Sequence, residues 1–163
     1  MNEGYAVLRR NIRNAFGFGF ALATPQLYCG MAKCFETHQL RMMALQGLGK
    51  DLTRRAKSRC ELNGAAGVPL RPYEVPPVPP EPDLDRILLL SEACHEALAR
   101  PAGMDAREWH CLGEAIWSDF PALQVVAWRL LNHLAQCDDW ARQILAEVFL
   151  DPETEYWARS ERA

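Results

Sequence analysis

Residues 60–95 read CELNGAAGVPLRPYEVPPVPPEPDLDRILLLSEACH, and the two ends of this stretch decide the fold. Each end has the spacing of a metal-binding knuckle, in which two cysteines three positions apart turn both thiolates toward one zinc ion. Cys60 and Asn63 occupy the first pair of positions, and Ser91 and Cys94 occupy the second. The sequence therefore predicts a zinc ribbon in which two of the four ligand positions are no longer cysteine.

The residues between the knuckles predict two short strands joined by a stiff connection. Gly64 follows the first knuckle, where the turn needs a residue that accepts a left-handed backbone. Leu70–Val75 alternates apolar and polar residues, as a half-buried strand does. Pro76–Pro82 has the composition of a polyproline-like loop, and Arg86–Leu90 is a short apolar run that suits a second strand.

Helical periodicity appears on both sides of these strands. Ala44–Arg59 places leucines at helical spacing and basic residues elsewhere. After the second knuckle, the pattern predicts helices over 92–100, 105–117, 121–136, 138–148 and from 151 onward. The five tryptophans fall in this second part, where we expect them to anchor the core. The predicted fold class is α+β: small zinc-ribbon-like β hairpins flanked by helices, with a helical C-terminal half.

The first part of the chain differs from the rest in composition and periodicity. Residues 1–42 contain a repeated Phe-Gly pattern and cysteines without a clear period, which indicates a loosely structured leader that is dispensable for folding. Residues 43–163 form the predicted folded domain. Within this domain we assign the altered ribbon to residues 60–94 and the helical region to residues 95–160.

Charge is distributed unevenly along the chain. The first 60 residues carry ten Lys/Arg against three Asp/Glu, or +7, and the remainder carries eight against eighteen, or −10, which gives the net charge of −3. The basic helix 44–59 is therefore a candidate docking surface for a protein partner or a nucleic acid. Solvated helix faces of opposite sign would give the same pattern.

The sequence gives no indication of a membrane partner. No apolar run approaches the ~20 residues that a membrane span requires. Residues 9–23 resemble a signal peptide in charge and length, but glycine interrupts their apolar run. The six cysteines do not have the spacing of a secreted disulfide scaffold. We expect a reducing compartment, the cytoplasm.

Six short motifs occur in order along the folded part of the chain. They are CELNG at 60–64, YEVPP at 73–77, LLSEAC at 89–94, WHCL at 109–112, WS at 117–118 and PALQVVAWR at 121–129. In this order the chain resembles PhnA-type proteins, a family named for an alkylphosphonate-utilisation operon, over residues 43–158. That family has C-E-L-C-G and L-L-C-x-x-C at the two knuckles. The resemblance implies a zinc ribbon with Cys60 and Cys94 among its ligands, fused to a small helical region, and a poorly defined function.

Three chemistries remain open for the altered knuckles. Cys60, Cys94 and His95 together with a water would match the ligand count of an open catalytic zinc site. Alternatively, Asn63 and Ser91 hydrogen-bond to each other or to the turn backbone, and the fold stands without metal. In an oxidising compartment, a disulfide between Cys60 and Cys94 is a third arrangement. Neutral oxygen ligands bind zinc weakly, so the two lost positions argue against zinc as a resident cofactor.

Two classes of function follow from these features. The first is a non-catalytic binding or regulatory module, which docks through the ribbon and the basic helix 44–59. The second is a metal-dependent hydrolase of phosphonate metabolism, in which Cys60, Cys94 and His95 hold the ion. The sequence offers neither an evident general base nor a fourth strong ligand, so we favour the non-catalytic module.

Overall fold

The computed structural model of the chain describes the backbone of residues 25–160 and the side chains of residues 37–160. The chain divides into two compact units, Met1–Gln39 and Leu40–Ala163. In the first unit the described residues, 25–39, are helical. Residues 1–24 of the predicted leader lie outside the described residues.

The described residues form six α-helices and two β-strands. In chain order these are α1 (Pro25–Arg55), β1 (Leu70–Glu74), β2 (Ile87–Ser91), α2 (Glu92–Ala99), α3 (Leu112–Ala115), α4 (Pro121–Leu134), α5 (Asp139–Glu147) and α6 (Pro152–Arg159). Short 3-10 helices lie at Leu84–Arg86, Pro101–Gly103 and Ala106–Glu108. The α+β fold class and the helical C-terminal half are confirmed.

The two strands form an antiparallel hairpin. Leu70 lies opposite Ser91, and Glu74 lies opposite Ile87. Both predicted strands are therefore present, each within one residue of the expected bounds. A separate bridge between Arg59 and Ala66 frames the turn that contains Cys60.

All five residues of β2 are buried, because this strand is covered on both faces. Side chains alternate between the faces of a strand. Leu88 and Leu90 belong to the large core formed with the helical C-terminal half. Ile87 packs on the other face with Leu45 and Leu52 of α1. The hairpin is thus the layer between residues 45–52 of α1 and the C-terminal helices.

Helix α4 is the centre of the larger core. Pro121 begins the helix at a position where its missing N–H costs nothing. Helices α3, α5 and α6 all pack against α4. The helix predicted over 121–136 is present, and eight of its residues are buried: Ala122, Leu123, Val125, Val126, Ala127, Leu130, Leu131 and Leu134.

Three expectations from the sequence need correction. The helix predicted over 44–59 begins earlier and ends at Arg55, because Lys57 and Ser58 adopt left-handed backbone conformations with φ of 51° and 58°. The helix predicted over 105–117 is instead a 3-10 helix followed by the four-residue α3, since the Asp105 carboxylate caps a short turn at Arg107 N. Trp117 is 57% exposed, so it does not anchor the core.

Arg41 ties α1 to the hairpin and to its connecting loop. Its guanidinium donates two hydrogen bonds to the Glu74 carboxylate, at 2.8 and 2.5 Å. It also donates to the carbonyl oxygens of Pro79 and Pro80, both at 3.0 Å. Arg41 is therefore part of the folded unit, although the predicted boundary at Met43 leaves it in the leader.

We expect a chain that begins at Leu40 to melt at nearly the temperature of the full chain, and a chain that begins at Met43 to melt several degrees lower. The second chain lacks Arg41, which leaves Glu74 and two carbonyl groups without their donor, at a cost of about 1–3 kcal/mol. Circular dichroism melts provide the measurement. Arg54→Ala in the full chain is the control, because the Arg54–Asp51 pair is exposed. Equal melting temperatures for the two shortened chains would contradict the role of Arg41.

Candidate functional site

The first knuckle is a tight turn that starts at Cys60. Its backbone is closed by hydrogen bonds from Gly64 N to Cys60 O and from Cys60 N to Ala65 O, both 2.9 Å. Gly64 has a φ of +69°, a left-handed conformation that glycine adopts without strain. The glycine predicted to close the knuckle therefore does so, and the Cys60 side chain is buried beneath the turn.

The second knuckle lies where β2 passes into α2. Ser91 is the last residue of the strand, and Cys94 lies in the first turn of the helix. Ser91 occupies the N-cap position, yet its hydroxyl does not cap the helix. The hydroxyl instead donates to the Cys94 sulfur at 3.3 Å, and the Ser91 N–H donates to the Cys60 sulfur, also at 3.3 Å.

The two cysteine sulfurs meet beneath this junction. Cys60 Sγ and Cys94 Sγ lie 3.5 Å apart. The side chains of Cys60, Ser91 and Cys94 are all buried, at 2%, 5% and 0% exposure. Two thiolates on one zinc ion with ligand bonds of about 2.3 Å would be roughly 3.8 Å apart. The sulfurs thus sit close to the spacing of two zinc ligands, while hydrogen bonds from Ser91 take up both of them.

The other two predicted site residues do not join this cluster. Asn63 is exposed, and its side-chain oxygen accepts a hydrogen bond from Ala65 N at 3.1 Å. The His95 ring is within hydrogen-bonding distance of the Arg71 carbonyl oxygen at 3.3 Å, and it lies edge-on to the Tyr73 ring, with the ring centroids 5.6 Å apart. Among the residues whose side chains are described, no three His, Cys, Asp or Glu side chains are grouped to hold a metal. The donor set therefore does not fit a four-ligand zinc ion.

Hydrogen bonding makes the two buried thiols chemically unequal. The pKa of Cys60 is lowered to about 5, first because the Cys94 thiol donates a hydrogen bond to it. Burial opposes this shift, and the backbone N–H groups of Asn63 and Ser91 assist it. The pKa of Cys94 is raised, because its proton is held in the bond to Cys60 and because the residue is buried. Cys60 is therefore the sulfur of the pair that loses its proton first.

A charged network missed by the sequence analysis holds the first knuckle to the hairpin. Glu61 accepts a hydrogen bond from Leu89 N at 2.6 Å, while Glu61 N donates to Leu89 O at 3.0 Å. Arg55 at the end of α1 donates to both Glu61 carboxylate oxygens, at 2.8 and 3.0 Å. Its guanidinium also lies over the Phe120 ring, 4.2 Å from the centroid. The one sequence signal for this network was that Glu61 belongs to the C-E-L motif.

The C-terminal end of α1 and the turn after it form a basic surface. Arg55 points inward, whereas four other basic residues are exposed: Lys50, Arg54, Lys57 and Arg59. We call these four residues the basic end. The predicted basic helix 44–59 therefore contributes both an internal anchor and an outer surface.

In the part of the chain that the structure describes, no helix has the length and apolar character to cross a bilayer.

Comparison with known proteins adds no relative. The sequence matches no family model, no curated protein and no solved structure. The resemblance to PhnA-type proteins thus rests on the six motifs alone.

We expect the ultraviolet absorbance of a thiolate in the folded, reduced protein at about neutral pH. It should disappear as the pH falls through about 5, because Cys60 takes up a proton there. An ordinary cysteine with a pKa of about 8.5 would already be protonated in this range. An ultraviolet pH titration measures this.

Two variants assign the signal to its residue. Cys60→Ser should remove it, and Cys137→Ser, which changes an exposed cysteine, should leave it intact. A thiolate signal that appears only above about pH 8, or that survives in Cys60→Ser, would contradict the assignment.

Proposed function

We propose that this chain is a non-catalytic binding module of the PhnA type that works in the cytoplasm. The six ordered motifs support the family, and the free thiols of Cys60 and Cys94 suit a reducing compartment. In this proposal the ribbon supports the docking surface. Its interior is occupied by hydrogen bonds among Cys60, Ser91 and Cys94.

The observation that carries the proposal is that, at the end of α1, one arginine anchors the fold while the other basic residues are exposed. Arg55 is tied to Glu61 and to the carbonyl oxygens of Leu84 and Ile87, which fixes the end of the helix on the hairpin. The basic end therefore presents four basic side chains from a firmly held support, one of which, Arg54, is paired with the exposed Asp51 at 3.1 Å. Side-chain exposure of 80% for Arg54 shows how open this surface is. Such a cluster attracts an acidic surface, and the attraction weakens as salt is added.

The occupant that fits this surface is an acidic partner, either an acidic protein segment or a nucleic acid backbone. Phosphate and carboxylate groups both accept hydrogen bonds from Arg and Lys. The exposed side chains of the basic end are cationic, so the recognition depends on charge. We therefore expect modest affinity and little sequence selectivity.

The alternative function, a metal-dependent hydrolase of phosphonate metabolism, has less support from the geometry. It requires His95 beside Cys60 and Cys94, but the His95 ring is engaged with the Arg71 carbonyl oxygen. A catalytic zinc site usually has three protein ligands, and Cys60 and Cys94 supply only two. Metal analysis of protein purified without a histidine tag, and phosphate release from phosphonates with added zinc, test this alternative.

We expect the full chain to bind a short labelled DNA duplex or a labelled polyglutamate peptide, measured by fluorescence anisotropy at low salt. The double change Lys57→Glu plus Arg59→Glu should weaken this binding at least about tenfold, because it reverses two charges of the basic end. Arg100→Glu plus Arg107→Glu is the matched control, since it reverses two exposed arginines elsewhere.

The controls distinguish a specific surface from general charge. Equal weakening by both double changes would show that net charge alone governs binding, and would contradict the assigned surface. Absence of binding to both probes would reject the proposed function. Phosphate release that depends on Cys94 would favour the hydrolase instead.

A further inference from the structure

Two thiols face each other in the core at a place that the proposed binding function does not use. Cys60 Sγ and Cys94 Sγ are 3.5 Å apart, and both side chains are buried. A disulfide bond is about 2.05 Å long, so the sulfurs need to approach by roughly 1.5 Å to form one. Ser91 donates one hydrogen bond to each sulfur, which keeps the two side chains turned toward each other.

The surrounding backbone can supply this approach. Cys94 lies in a helix packed in the core, but Cys60 begins a turn whose next residues after Leu62 are exposed. Two glycines with left-handed backbones, Gly64 and Gly67, follow in that segment. A turn of this kind adjusts by small backbone rotations, because glycine has few steric restrictions.

We infer that Cys60 and Cys94 are a reversible oxidation site, at which hydrogen peroxide converts the two thiols into an intramolecular disulfide. The bond would join residues 34 positions apart, and so lock the first knuckle onto the start of α2. It would occupy the place at which a zinc ribbon has its metal. The inference stands independently of the acidic partner proposed for the basic end.

The chemistry balances with peroxide as the oxidant. One sulfur attacks a peroxide oxygen, the O–O bond breaks, and the leaving hydroxide takes up a proton to give water. The resulting sulfenic acid is then attacked by the second sulfur: the S–S bond forms, the S–O bond breaks, and a second water leaves with the remaining thiol proton. Two thiols and one hydrogen peroxide thus give one disulfide and two waters.

The other described cysteines differ from this pair in their surroundings. Cys111 is half-buried, and its pKa is raised mainly by burial. Cys137 is exposed. Cys29 and Cys34 lie outside the described side chains. The test must therefore identify which cysteines are joined and not merely count oxidised thiols.

The experiment treats the reduced full chain with hydrogen peroxide and blocks the remaining thiols with N-ethylmaleimide in denaturant. Peptide mapping by mass spectrometry then locates the cross-link. We expect a peptide pair joined through Cys60 and Cys94, which dithiothreitol separates again. The oxidised protein should melt higher by roughly 5–10 °C, because the bond closes a long loop of the unfolded chain.

Two variants make the result specific. Cys94→Ser should abolish this cross-link, and Cys137→Ser should retain it at the wild-type rate. If Cys94→Ser disturbs folding, peptide mapping of the wild-type chain still shows whether Cys60 and Cys94 are joined. The inference is overturned if Cys60 and Cys94 both remain open to the blocking reagent after peroxide treatment. A cross-link from either residue to Cys111, or irreversible oxidation of Cys60 to the sulfinic acid, would also overturn it.

Discussion

The ion pair between Arg55 and Glu61 is the contact on which the rest of the structure depends. It joins the end of α1 to the first knuckle, and Glu61 in turn pairs with both backbone groups of Leu89 in β2. Arg55 also reaches the carbonyl oxygens of Leu84 and Ile87 and stacks on Phe120, which precedes α4. One salt bridge thus connects the long helix, the turn, the hairpin and the helical half. The side chains are 26% and 10% exposed, so solvent screens the pair only in part.

This network explains how the turn at Cys60 and the start of α2 are held to the hairpin. In a zinc ribbon the metal joins the two knuckles, and its binding energy contributes directly to folding. Here Glu61 holds the first knuckle against β2, and Ser91 links the two cysteines through its N–H and its hydroxyl. Hydrogen bonds therefore join the two knuckles here, as a metal bound by four thiolates joins them in a zinc ribbon. They also leave two thiols close together, which is the basis of the inferred oxidation site.

Much of the fold could be predicted from the sequence, because periodicity and turn residues act locally. The strands at 70–75 and 86–90, helix α4 and the turn at Gly64 all follow from such local patterns. The predicted end of α1 is wrong because two non-glycine residues, Lys57 and Ser58, adopt left-handed conformations, and amino-acid composition does not predict these. At the site, the meeting of Cys60 with Cys94 followed from knuckle spacing. The partners of Glu61 and the outward turn of His95 depend on tertiary packing, which no local pattern encodes.

The central claim, that side-chain contacts close the ribbon, is tested most directly by comparing Glu61→Ala with Glu92→Ala in urea unfolding with a chelator present. Glu61→Ala leaves Arg55 and the Leu89 N–H without their partner, so the free energy of unfolding should fall by about 2–3 kcal/mol. Glu92 forms an exposed pair with Arg71, and its removal should cost under about 1 kcal/mol. Equal losses in the two variants, or a wild-type chain that unfolds when metal is chelated, would contradict the claim.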